Sequence, residues 1–95
     1  MISVKDLREI CYKNDLIKCF EEQIDNMLEE NASKGVARTY IYELKDTAQD
    51  TLKVSEIQTE YLRTLESLYS SEGFKVELKK DKNEYNGYKH MKISF

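Results

Sequence analysis

The apolar positions of this chain keep two different periods, and the changes of period divide it into elements. Leu16, Ile17, Phe20, Ile24, Met27 and Leu28 are spaced 1, 3, 4, 3 and 1 apart, which places them on one face of a helix. Leu7, Ile10 and Cys11 begin a similar stripe upstream. Ser3 with Asp6 stands as a weak capping box, and Ile2 and Leu7 occupy the staple positions around it. Lys13-Asn14-Asp15 interrupts the stripe and puts Asp15 where it caps a second helix. Residues 3–32 therefore read as one helix or as two, with Gly35 at the C-terminal glycine position.

From Val36 the pattern changes to strand chemistry. Residues 36–44 are rich in β-branched and aromatic types. One face carries Val36, Arg38, Tyr40, Tyr42 and Leu44, the other Ala37, Thr39, Ile41 and Glu43. Both hold apolar groups, so the pattern does not choose the inward face. Residues 45–54 are polar and read as a connection. Ser55 with Gln58 forms a second capping box, Ile57, Tyr61, Leu65, Leu68 and Tyr69 form a helical stripe, and Gly73 ends it.

Phe74, Val76 and Leu78 alternate with Lys75, Glu77 and Lys79, as do Met91, Ile93 and Phe95 with His90, Lys92 and Ser94. Each run is a half-buried strand with one wet face. Asn86-Gly87 is a type I′ turn signal between them. A two-residue turn there sets Leu78 opposite Phe95, and a longer loop sets Phe74 opposite Phe95. Both registers keep the same apolar face. The predicted fold is a single α+β domain over residues 1–95 in the order α(α)-β-α-β-β. It has a three-stranded, mostly antiparallel sheet with two or three helices on one face.

Size and charge narrow the function classes. At 95 residues the domain buries only about 60% of its unfolded surface, which leaves little room for a deep catalytic cleft. The net charge of −3 is unevenly spread: residues 1–31 hold four basic and eight acidic side chains, residues 74–95 six basic and three acidic ones. An acidic helical start and a basic end follow. Cys11 and Cys19 on one helix stand about 12 Å apart, too far for a bridge that needs about 7 Å. Reduced thiols, with no export signal or membrane-length apolar run, point to the cytosol.

Catalytic constellations are missing. His90 lies on the wet face of the last strand and reads as solvent-exposed, with no orienting partner or nucleophile assignable. One histidine and two cysteines without close spacing make no zinc site. Three glycines spread along the chain build no phosphate cradle. The expectation is a protein that is not an enzyme and uses no cofactor.

Two surfaces remain as candidates. A protein-binding one is either the open sheet face, with Arg38, Tyr40 and Tyr42, or the acidic helix, with Glu22, Asp25 and Glu29. A nucleic-acid one uses the C-terminal hairpin, with Lys75, Lys79, Lys80, Lys82, Lys89 and Lys92 for phosphates and Tyr85 and Tyr88 for bases. An exposed strand in so small a domain also makes a homodimer plausible.

Three stretches carry a resemblance: Ala32-Ser33-Lys34-Gly35 before a strand, Leu65-x-x-Leu68 leading into Gly73-Phe74-Lys75-Val76, and the closing Lys92-Ile93-Ser94-Phe95. Over roughly residues 30–95 the chain resembles small phage and prophage accessory proteins of Gram-positive bacteria. Many of these close on an Ile-x-Ile-Ser-Trp-like strand, with Phe95 here in the aromatic place. The resemblance implies a phage-encoded protein that acts stoichiometrically on a host protein as inhibitor or modulator, including in host defence, within the host cytoplasm. It carries over no functional residue.

Overall fold

A computed structural model describes residues 3–80 and 88–95, with side chains throughout except at Asp6 and residues 8–13. The Asn86-Gly87 turn signal, Ile2, Lys82 and Tyr85 lie outside the described residues.

The first thirty residues of the fold are one helix, α1 (Val4–Ser33), and Asp15 sits within it rather than capping a second. Asn14 and Asp15 face solvent, so these two polar residues sit on the wet side without breaking the helix. Leu16, Ile17, Phe20, Ile24 and Leu28 are buried, whereas Leu7, expected in a staple, is exposed. The helix closes on Gly35 at φ +78°. Its N–H bonds Ala32 O at 3.0 Å, and the Val36 N–H bonds Asn31 O at 2.9 Å. That pair of bonds uses up carbonyls the helix end would leave bare, and it needs a left-handed residue.

The chain then enters β1 (Arg38–Ile41) and, after Tyr42, β2 (Glu43–Lys45), which pairs with β3 (Thr51–Lys53) in a two-stranded antiparallel ribbon. The stretch expected as one strand is thus two, and part of the expected connection is a strand. Ile41 and Leu44 are both buried at 1% exposure, yet they stand three apart and would fall on opposite faces of one strand. Breaking the strand at Tyr42 lets both point inward. The Tyr42 carbonyl accepts the Val54 N–H at 2.8 Å. The ribbon is clamped to α1 by Gln23, whose Oε1 accepts the Lys45 N–H at 2.7 Å and whose Nε2 donates to Lys45 O at 2.6 Å. At its turn the Asp46 carboxylate accepts the N–H groups of Ala48 and Asp50 at 2.9 and 3.0 Å.

A 3₁₀ turn over Val54–Glu56 precedes α2 (Thr59–Ser71). The expected Ser55–Gln58 capping box does not form: Ser55 lies inside the turn, and Gln58 holds the N-cap position without a side-chain cap bond. Val54 and Ile57 are both buried, and sinking them into the core winds the chain tightly before the helix starts. The helix buries Leu62, Leu65 and Tyr69 and leaves Leu68 exposed, so its inward stripe is rotated toward Leu62. It ends as α1 does, on Gly73 at φ +95° with Phe74 N–H bonded to Tyr69 O at 3.1 Å. Here the ring of Phe74 also meets that of Tyr69, centroids 5.6 Å apart, the apolar contact that often completes this helix ending.

The last strands are β4 (Lys75–Lys79) and β5 (His90–Ser94). The main sheet has the order β1-β5-β4, antiparallel throughout. Leu78 pairs with Met91 and Val76 with Ile93, so the register that sets Leu78 against Phe95 is not the one formed. The longer-loop register holds, and Phe74 meets Phe95 with ring centroids 6.0 Å apart. The fold is α+β as expected, with helices on one face of the three-stranded sheet. Phe20 and Ile24 of α1, Leu62 and Leu65 of α2, Ile41 of β1 and Met91 and Ile93 of β5 meet in one core. Each such side chain contributes about 1.5–3 kcal/mol on burial. Thr39 is the buried polar residue on that face, and its hydroxyl oxygen accepts from Asn31 Nδ2 at 2.8 Å.

Candidate functional site

Because Thr39 and Ile41 turn inward, Arg38, Tyr40 and Tyr42 turn outward, and the register decides what stands beside them. Tyr40 pairs across with Lys92, and Lys92 in turn with Glu77. Arg38 and Lys75 both pair with Ser94, and His90 pairs with Lys79. Among the described residues of the main sheet, the face turned away from the helices therefore carries Arg38, Lys75, Lys79 and Lys92 against the single carboxylate of Glu77. Glu77 is held by both neighbours on its strand, Lys75 at 3.6 Å and Lys79 at 3.5 Å. The positive charge of Lys79, outweighing a small desolvation effect, keeps its carboxyl below the usual range.

The aromatic groups form a column along one side of this face. The Tyr42 and His90 rings lie 5.1 Å apart, tilted, and Tyr40 meets His90 edge-on at 5.9 Å. Lys92 Nζ stands 5.9 Å over the Tyr40 ring, a cation–π distance. Tyr40 is 46% exposed and Tyr42 51%, so each residue is about half open to solvent. His90, expected to be solvated, is half-buried between them, and its Nδ1 is buried without a hydrogen-bond partner among the described residues.

The remaining predicted residues fall elsewhere. Glu22 and Glu29 are exposed on the side of α1 away from its buried stripe, hence behind the sheet rather than on its open face. Asp25 is committed to the fold, accepting the Tyr69 hydroxyl at 2.6 Å. The two alternative protein-contact surfaces, sheet face and acidic helix, thus lie on different sides of the molecule. Of the hairpin set, Lys92 belongs to the open face and Lys89 is exposed beside it, its N–H bonded to Lys79 O at 2.7 Å. Tyr88 is half-buried against the core with Lys80 Nζ 5.4 Å over its ring, so it serves packing as well as surface.

Sequence reading grouped Lys75 and Lys79 with the hairpin lysines rather than with the tyrosines of β1, and it set His90 aside. Their alternation showed them on a wet face, but only the register and strand order set that face beside Tyr40 and Tyr42.

A cleft of about 300 Å³ between α1 and α2 is lined by Glu21, Asp25, Tyr69, Glu72 and Phe74. Burial, then the Asp25 carboxylate, pushes the Tyr69 hydroxyl well above its ordinary value, so it is poorly matched to proton transfer near neutral pH. Among the described residues no group of three His, Cys, Asp or Glu side chains is arranged to hold a metal ion. Cys19 is a free thiol, its Sγ 3.5 Å from Lys45 O. No helix among the described residues is long and apolar enough to cross a membrane. No protein-family model, curated protein or solved structure matches the chain.

Proposed function

We propose that the protein works by stoichiometric binding of a negatively charged macromolecule through the open face of its main sheet. The observation that supports this most directly is the union of Arg38, Lys75, Lys79 and Lys92 with the half-exposed Tyr40 and Tyr42 on one surface. Arginine and tyrosine are the residue types that concentrate binding energy at interfaces. The single carboxylate there is already neutralised by its two lysine neighbours. In the phage-accessory role that the sequence resemblance implies, this face holds a component of the host and blocks or redirects it.

The test is retention on immobilised heparin as a generic polyanion, at about 50–200 mM salt, where phosphate-type contacts are strongly salt-dependent. Reversing Arg38 and Lys92 together (R38E/K92E) should release the protein at far lower salt. The charge-matched change K18E/K53E, at exposed lysines outside this face, should have much less effect. Equal loss from both pairs, or no retention of the unaltered protein, overturns the proposal.

A further inference from the structure

We infer that the open sheet face binds single-stranded nucleic acid, with Tyr40 and Tyr42 stacking on bases and Arg38, Lys75, Lys79 and Lys92 meeting backbone phosphates. This names the partner of the surface proposed above and rests on that proposal.

The layout of the face argues for it. Tyr40 and Tyr42 run along one edge of the sheet, and Lys75 and Lys79 along the other, two strands away. Neighbouring strands lie about 4.8 Å apart, so the two columns are about 10 Å apart. A single strand laid along the sheet can set bases on the first column and phosphates on the second. Lys92, between them and over the Tyr40 ring, serves either. Half-exposed aromatic rings flanked by cations are what sequence-tolerant single-strand binding uses, because every base offers a flat face to stack on. A duplex hides those faces within its own stack. An acidic protein surface would meet the lysines but supplies no flat partner for two half-exposed phenols.

His90 is an independent sign that the face is incomplete when empty. Its Nδ1 is buried with no partner among the described residues, beside the two tyrosines that contact its ring. A buried polar atom without a partner carries a free-energy cost.

The experiment is fluorescence anisotropy with labelled single strands of DNA and RNA of about 12 nucleotides, within the usual site size. The same sequences as duplex, and polyglutamate, are the competitors. The single strand should bind at least about tenfold more tightly than either, and Y40A and Y42A should each weaken it about tenfold, with Y40F close to unaltered. Between about 50 and 200 mM salt the log–log slope should be about −2 to −3, corresponding to three or four phosphates. Duplex or polyglutamate binding as tightly as the single strand, or indifference to Y40A and Y42A, overturns the inference. With heparin retention intact, either result leaves the broader proposal standing and points to a duplex or an acidic protein. Loss of heparin retention as well removes both.

Discussion

The Tyr69 hydroxyl of α2 donates to the Asp25 carboxylate of α1 at 2.6 Å, and its oxygen lies 3.1 Å from the Glu21 carbonyl oxygen. This bond ties the two helices at the point where Phe74 turns the chain into β4. Burial, then Asp25, raises the hydroxyl's pKa in the folded protein, whereas an unfolded tyrosine ionises near 10. A raised folded pKa means stability that is fully present below about pH 10 and is lost as pH climbs above it. At pH 7, Tyr69→Phe should cost about 1.5–3 kcal/mol for a hydrogen bond to a charged acceptor. Urea unfolding of both proteins at rising pH should show that gap narrowing above pH 10. A gap that stays constant would contradict the assignment.

Gln23 is the one side chain that pairs with both backbone groups of Lys45. Gln23→Glu keeps the shape but replaces the amide donor with a carboxylate oxygen facing the Lys45 carbonyl. The expected loss is about 1–3 kcal/mol, and amide exchange at Lys45 should speed up. Unaltered exchange would mean that the ribbon is held by Leu44 and Leu52 alone.

Gly73→Ala meets no steric obstacle, since nothing lies within 4 Å of the added carbon. Its cost should come from the backbone, about 1–2 kcal/mol for a left-handed L-residue. Gly73→Asn should lose less, because asparagine tolerates that region better. Thermal unfolding of the pair separates the two cases, and equal melting temperatures would count against a conformational origin.

Phe20→Ala should remove about 3–5 kcal/mol, a large share of the 5 to 15 or so kcal/mol that holds a domain together. Tyr40→Ala, on the open face, should stay within about 0.5 kcal/mol. Denaturant titration checks both. A large loss at Tyr40 would make that ring structural and disqualify it as a neutral probe of binding.

How much of this was legible in the chain depends on which contacts set each element. Helix α2 and strands β4 and β5 are written locally, in the spacing of Leu65 and Tyr69 and in the alternation of Val76 with Glu77 and of Met91 with Lys92. The β2–β3 ribbon is not, because it depends on Gln23 reaching Lys45 across 22 positions of chain. The register of β4 on β5 was open because a shift by an even number of residues preserves the buried face; the observed pairing brings Phe74 onto Phe95 and Tyr69. The inward face of β1 was open because Tyr40 and Ile41 are both apolar enough to bury. Packing of α1 on Thr39 and Ile41 decides it, and with it the composition of the candidate site.

The acidic back of α1 and the basic front of the sheet make the molecule an electric dipole whose net charge of −3 misstates what a partner meets. The smallest dimension of the protein is 26 Å, whereas charges are screened within about 8 Å at physiological ionic strength. In such a solution an approaching polyanion feels one face at a time, is turned away from α1 and is drawn to the sheet. At about 0.01 M salt the screening length grows to about 30 Å, and the whole negative molecule repels before the basic face can orient. Ionic strength therefore governs which way round the protein arrives as well as how tightly it holds.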